Sequence, residues 1–181
     1  HGAATITPRI IINGLLFYVA WLGACWFAAR GSVLLATLVP LAVVAVHLAW
    51  EADRPTAAKL IAVAAVLGLL GDTLVMTLGR SVFAAPGPLP ALAPPWVVGL
   101  WMVFATLPNL SMRFFRDRLP LTAVLALVFG PLTYWGGAEM GAGHMGEPLW
   151  LHVALLGALW AIAAPTLLML ARRWETAAAP T

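Results

Sequence analysis

The sequence predicts an all-α polytopic membrane bundle of six transmembrane helices with both termini cytoplasmic, and three observations carry that prediction. Of 181 residues, 62% are hydrophobic and 9% charged, with a mean hydropathy of +0.95. An ordinary soluble domain holds about 25% charged residues, so no soluble core absorbs this much apolar surface. Apolar runs of about 20 residues, the length that crosses a hydrocarbon core as a helix, occur at 10–29, 32–50, 60–79, 95–113, 120–138 and 148–171. With six spans, Arg9, Arg54, Lys59, Arg113, Arg116, Arg118, Arg172 and Arg173 share one side, and Arg30 and Arg80 take the other. That is the positive-inside asymmetry. It accounts for the pI of about 9.8 without nucleic acid.

The first span holds Asn13 and Cys25. Leu22-Gly23-Ala24-Cys25 has the form of a lipobox, but Trp26, Phe27, Ala28 and Ala29 stay apolar where a lipoprotein turns polar. Lipidation is therefore not expected, and a lone cysteine excludes an intrachain disulfide. The chain opens on His1 rather than Met, so HGAATITPR reads as a trimmed or tag-derived end. Arg30-Gly31 is so short a link that the first two spans form an antiparallel hairpin. The breaks that follow are EADRPTAAK (51–59), the Pro- and Gly-rich RSVFAAPGPLPALAPP (80–95), the basic RFFRDRLP (113–120) and EMGAGHMGEP (139–148). A single transmembrane domain over 10–173 is expected, with tails at 1–9 and 174–181 and no internal repeat. Trp96, Trp135, Trp150 and Trp174 fall near span ends, where an aromatic belt belongs. Pro40, Pro108, Pro131 and Pro165 lie inside four spans, and each frees a carbonyl, which suits irregular, cavity-lining helices.

Polar residues inside the spans form two layers. At 1.5 Å per residue, Asp72 lies about 18 Å along the third span, in the outer half. Tyr134, Glu139 and His152 fall in that half or at its rim. Ala64, Gly68, Gly71 and Gly79 share or flank the Asp72 face, so another helix approaches closely there and the acid points into the bundle. A buried acid needs a proton, a cation or several donors. Tyr134, Arg30 and Arg80 are the partners within reach by depth. Its candidate roles are proton relay, general acid/base, anchor for a cationic ligand, or a structural tie between spans. The inner layer holds Asn13, His47, Thr106, Asn109 and Arg113. His47 can bond Asn13 or Asn109, or pair with Glu51 at i+4. Thr106, Asn109 and Arg113 share a helical face at i, i+3, i+7 beside Pro108, which deprives the Phe104 carbonyl of its usual partner. The candidate catalytic residues are thus Asp72, His47 and Tyr134, and the candidate binding residues Asn13, Trp101, Thr106, Asn109 and Arg113.

Glu139, His144, Glu147 and His152 offer metal-ligating atoms, but without a spacing such as H-E-x-x-H, so no metal is expected. The chain holds no Walker loop, no G-x-S-x-G and no dinucleotide fingerprint, and no cofactor is expected. Asn109-Leu110-Ser111 matches a glycosylation sequon by accident, at the cytoplasmic end of a span.

These motifs, taken together, resemble a known family. Asn13 with Phe17 and Trp21, His47-Leu48, Gly71-Asp72-Thr73, Ala93-Pro94-Pro95-Trp96, LWMVFATLPNLS at 100–111 and GPLTYWGG at 130–137 are similar to the bacterial integral membrane family DUF2878, across residues 10–173. One departure is visible. The family's usual Asn-His-Ser reads Asn109-Leu110-Ser111 here, which removes a histidine from that point. The resemblance implies a small multi-pass protein of the bacterial inner membrane without an assigned activity, and a tie to lipid through neighbouring genes for modifying membrane fatty acids. PPWVVGLWMVF at 94–104 is also similar to the Trp-rich stretch of TspO-type proteins. That stretch opens an early helix of five spans there and the fourth of six here, so it reads as convergence.

Three functional classes fit these residues. The first is an accessory or structural subunit of the inner membrane, linked to lipid modification. The second is a carrier of a lipid or small hydrophobic molecule through a kinked-helix cavity. The third is an intramembrane lipid-modifying enzyme using Asp72, His47 or Tyr134. Membrane lipids are the expected partners, with a membrane-protein partner or a second copy of the chain as further candidates and no nucleic acid.

Overall fold

A computed structural model describes residues 7–178, and the first six and last three residues lie outside it, among them most of the N-terminal tail. Six helices carry the fold: α1 (Pro8–Ala28), α2 (Val33–Trp50), α3 (Arg54–Gly79), α4 (Pro95–Phe104), α5 (Leu119–Glu139) and α6 (Leu149–Ala178). Five are long and apolar enough to cross a membrane, and α4 is a short apolar helix. The architecture is an all-α bundle of membrane type. Outward-facing Leu15, Val19, Leu70 and Val124 are each more than half exposed, as lipid-facing residues of a bundle are.

The helix limits follow local chemistry. Helix α3 starts six residues before the expected span because the Asp53 carboxylate accepts the Thr56 N–H at 3.2 Å and Pro55 sits in the first turn. That bond holds the Asp53 carboxyl below the usual carboxylate range. The cap therefore persists at neutral pH and is lost as pH falls through the lowered value. Helix α3 ends at Arg80, whose φ of +54° lies in the left-handed region. Helix α6 continues to Ala178, so residues 174–178 of the expected tail are helical.

The fourth span departs most from expectation. The helix stops at Phe104, and residues 105–112 run through turns into a 3-10 turn over Arg113–Asp117. Pro108 has no N–H to offer the Phe104 carbonyl. That carbonyl is not left bare: the Leu107 N–H reaches it at 3.0 Å. The Thr106 hydroxyl turns back to the Val103 carbonyl at 2.8 Å. The helical face expected for Thr106, Asn109 and Arg113 therefore does not form. Pro40, Pro131 and Pro165 remain inside continuous helices, so one of the four prolines marks a break. Pro40 is packed against Gly99, whose missing side chain gives it room on α4.

Helix α4 packs against α1, α2 and α3, while α5 packs on α6 and α6 on α3. The helix ends segregate to two ends of the bundle. At the basic end, Arg9 donates to the Trp50 carbonyl at 3.0 Å and to Glu51 at 3.2 Å. The Ser111 hydroxyl donates to the Ile10 carbonyl at 2.9 Å. Arg172 pairs with Asp117 at 2.9 Å, and Arg113 with Glu175 at 3.6 Å. Arg116 is buried and bridges the Asn109 side chain, at 3.1 Å, to Glu175. We expect Arg116→Ala to lower stability by about 1–2 kcal/mol, since the partly buried Asn109 oxygen loses its donor and the buried Arg116 packing is lost, while half-exposed Glu175 finds water. Thermal unfolding in detergent reads the change, and an unchanged midpoint would deny the bridge a structural role.

At the far end a two-stranded strap forms, β1 (Val82–Phe83) antiparallel to β2 (Gly143–His144), with Val82 opposite His144. It was not foreseen in the Pro- and Gly-rich segments. Trp150 stands outward at 71% exposure and suits an aromatic belt. Trp96 does not: it is buried, and its Nε1 donates to the Ala85 carbonyl at 3.0 Å.

Candidate functional site

Asp72 is the focus of the bundle interior. Its face of α3 also buries Ala64, Gly68, Val75 and Gly79. A side chain on Gly68 would occupy the Trp101 ring, one on Gly71 would meet Leu159, and one on Gly79 would meet His152. The small residues thus do what their spacing predicts: they let α4 and α6 close onto α3. Asp72 is 1% exposed. Trp101 Nε1 donates to Asp72 Oδ2 at 2.6 Å, and the Tyr134 hydroxyl reaches both carboxylate oxygens at 2.7 Å. Spans α3, α4 and α5 therefore meet on one carboxyl group.

Tyr134 was an expected partner and Trp101 was not. Neither outer arginine takes part. Arg30 donates to the Trp26 carbonyl at 2.9 Å and lies 3.4 Å over the Trp26 ring. Arg80 ends α3 itself, two helical turns beyond Asp72, or about 12 Å. Two aligned donors offset the desolvation of the acid where no cation is at hand. The neighbouring Thr73 hydroxyl accepts the Ala93 N–H at 2.9 Å, so Gly71-Asp72-Thr73 serves close packing, the interior tie and the anchoring of the Pro-rich connection in turn.

Aromatic rings continue the site. Trp101 stacks on Trp160 with centroids 4.3 Å apart and planes 14° apart. Phe104 meets Trp160 edge-on at 5.1 Å. Gly130 on α5 leaves the space that Trp160 fills. Trp160 was missed in the sequence reading. Its signal was its position: a tryptophan in mid-span, opposite a mid-span glycine, belongs to packing rather than to an interfacial belt.

Two cavities flank this wall. Under the strap lies one of about 80 Å³, lined among others by Trp21, Cys25, Trp101, Tyr134, His144, His152 and Trp160. The other is a cleft of about 650 Å³ between α1 and α5, lined by Phe17, Tyr18, Phe104, Met112, Phe115, Thr122, Leu125, Ala126, Phe129, Thr133, Trp160 and others. Toward the far end α1 and α5 converge, where Gly136 and Gly137 make room for Trp21 and Cys25. Toward the basic end they diverge, and the irregular segment after Phe104 forms the cleft floor. Phe17, Trp21, Thr133 and Trp160 border both volumes.

The other candidate residues lie apart from Asp72. Of the three partners expected for His47, Glu51 is the one at hand, 3.8 Å away at the basic end, where it also holds Arg9; Asn13 and Asn109 bond elsewhere. His47 does not join Asp72 and Tyr134. Asn13 donates to the Thr106 hydroxyl at 3.1 Å and its carbonyl at 3.3 Å, and accepts the Ser111 hydroxyl at 2.7 Å. Asn13 and Thr106 thus form a buried clasp between α1 and the irregular segment, whereas Asn109 and Arg113 belong to the ion-pair cluster around Glu175. Glu139 accepts the Trp135 indole N–H at 3.0 Å. Among the described residues, no three His, Cys, Asp or Glu side chains are grouped to hold a metal ion.

A family model described as protein of unknown function (DUF2878) matches residues 10–166. The chain belongs to the DUF2878 family. The matched stretch includes Asp72, Trp101, Tyr134 and Trp160 of this DUF2878 protein, together with the residues of both cavities. No curated protein and no solved structure matches the chain.

Proposed function

We propose that this DUF2878 protein is a carrier that binds an acyl chain of a membrane lipid in the cleft between α1 and α5, within the bacterial inner membrane and with its basic end cytoplasmic. One observation supports this above the others: a cleft of about 650 Å³, within the roughly 300–1,000 Å³ of small-molecule sites, lies in the side of a bundle that hydrocarbon would surround. Its chemistry fits an apolar occupant. The Thr122 hydroxyl is spent on the Phe115 and Arg118 carbonyls, and the Thr133 hydroxyl on the Phe129 carbonyl. What these two threonines leave for a ligand is mainly their methyl groups, beside aromatic faces and the exposed Tyr18 hydroxyl.

Asp72 fits a positioning role in this account. Both its oxygens are engaged, and it borders neither cavity. It ties together the helices that carry Trp101 and Tyr134, against which the cleft wall rests. A direct acid/base role needs an acid that a substrate reaches, and Asp72 is not one.

The test is photolabelling in liposomes with a phosphatidylcholine carrying a mid-chain diazirine. The expected label falls on α1 around Phe17–Trp21 and on α5 around Leu125–Thr133. Leu125→Trp, which fills the cleft, should cut that label about tenfold. Label spread evenly over lipid-facing positions such as Leu70 and Val124 would overturn the carrier reading and favour the accessory-subunit expectation.

A further inference from the structure

The cleft occupies one half of the bundle's thickness. Its α5 residues run from Thr122 to Thr133, about 16 Å along the helix at 1.5 Å per residue. That is close to half of the roughly 30 Å of hydrocarbon in a bilayer, and it is the half that starts at the basic end, where α5 begins. A chain lying there belongs to the leaflet on that side, and its headgroup belongs at the basic end. Toward the far end a charged head would find no partner, since no Lys, Arg, Asp or Glu lines the cavity under the strap.

The basic end is short of carboxylates. Glu51 holds Arg9, Asp53 caps α3, Asp117 pairs with Arg172, and Glu175 is shared by Arg113 and Arg116. Arg54 turns back to the Ala49 carbonyl, and Lys59 lies over the Trp174 ring. Arg118 is the cation beside the cleft. It is exposed, and among the described residues no carboxylate pairs with it. Its guanidinium lies 3.8 Å over the Phe114 ring, and that ring meets Phe115 edge-on at 5.3 Å. Phe115 lines the cleft, as does Thr122, whose hydroxyl bonds the Arg118 carbonyl. The Phe114 carbonyl takes one guanidinium N–H at 3.0 Å, which leaves donors of the five-donor fork for a ligand.

We infer that the lipid whose chain lies in the cleft is an anionic phospholipid, and that Arg118 holds its phosphate. The inference rests on the acyl-chain reading of the cleft. A guanidinium fork matches the geometry of a phosphate, and basic clusters on the cytoplasmic side favour anionic lipids. A zwitterionic head brings its own cation beside the phosphate and gains less from an arginine without a carboxylate partner. A neutral head gains no charge interaction there.

The test compares two diazirine lipids with the same chains, a phosphatidylglycerol and a phosphatidylcholine, each at trace level in phosphatidylcholine liposomes. In the wild type the phosphatidylglycerol probe should label Leu125–Thr133 about fivefold more than the phosphatidylcholine probe, the worth of one Arg near an anionic head. The two probes should label lipid-facing Leu70 alike. Arg118→Gln should bring them level in the cleft, and Arg118→Lys, which keeps the charge, should retain most of the difference. Arg54→Gln removes an equal charge from the same end, on a helix that does not line the cleft, and should leave the difference intact. Equal labelling by the two probes in the wild type would overturn the inference. So would a difference that survives Arg118→Gln, or one that Arg54→Gln abolishes as fully. If neither probe labels the cleft above Leu70, it is the cleft reading that fails.

Discussion

Asp72→Leu is expected to lower the stability of the detergent-solubilised protein by about 2–5 kcal/mol. The substitution removes one acceptor and orphans two buried donors, the Trp101 indole N–H and the Tyr134 hydroxyl. A buried donor left without a partner costs about 1–3 kcal/mol. Hydrogen bonds between membrane helices average only about 0.6 kcal/mol in double-mutant cycles, because the separated helices find other partners. That average bounds the effect from below. Here the acceptor is a carboxyl group and both donors are lost together, which places the expected value above it. Asp72→Asn retains an amide oxygen for one donor and should fall between wild type and Asp72→Leu. It should also retain acyl-chain labelling in the cleft. An Asp72→Leu protein as stable as the wild type would remove the interior tie from the account. An Asp72→Asn protein that is stable yet unlabelled would show that the acid itself is needed.

Gly68→Ala is expected to cost about 1–3 kcal/mol, the range for overpacking a filled interior. The added methyl would fall on the Trp101 ring. That ring is held by the Asp72 bond at one edge and by Trp160 across its face, so it has no free direction in which to move. Gly71→Ala is the informative comparison. There the methyl meets the end of Leu159, a flexible side chain that gives way at lower cost. Unfolding midpoints should therefore fall further for Gly68→Ala than for Gly71→Ala. Near-ultraviolet circular dichroism should change with the first and not the second, as the Trp101–Trp160 stack loosens. Equal effects would show that the stack tolerates displacement.

The parts of this molecule legible in its sequence are those governed by single-residue physics. Hydrocarbon thickness sets five of the six apolar segments, and charge asymmetry orders their ends. The spacing of Ala64, Gly68, Gly71 and Gly79 fixes the direction of Asp72, and depth alone pairs it with Tyr134. Properties of pairs were harder to read. Trp160 looks like any apolar residue, and Trp101, although a candidate binding residue, shows no tie to Asp72, until Gly68 and Gly130 are seen to hollow out their places. The arginines failed as partners because each is committed to the end of its own helix. Pro108 breaks α4 while Pro40, Pro131 and Pro165 do not. At Pro40 the facing Gly99 shows how a neighbouring helix takes up the ring, a feature written on another helix. The cleft was least legible, since it arises from the divergence of α1 and α5, which are far apart in sequence.

The central claim is that the cleft between α1 and α5 holds a lipid chain, and native mass spectrometry of the protein released from mild detergent tests it most directly. The wild type should retain one lipid per chain, and Leu125→Trp and Ala126→Phe should lose it while unfolding at temperatures close to the wild type. Identical lipid content in the wild type and both folded variants would contradict the account.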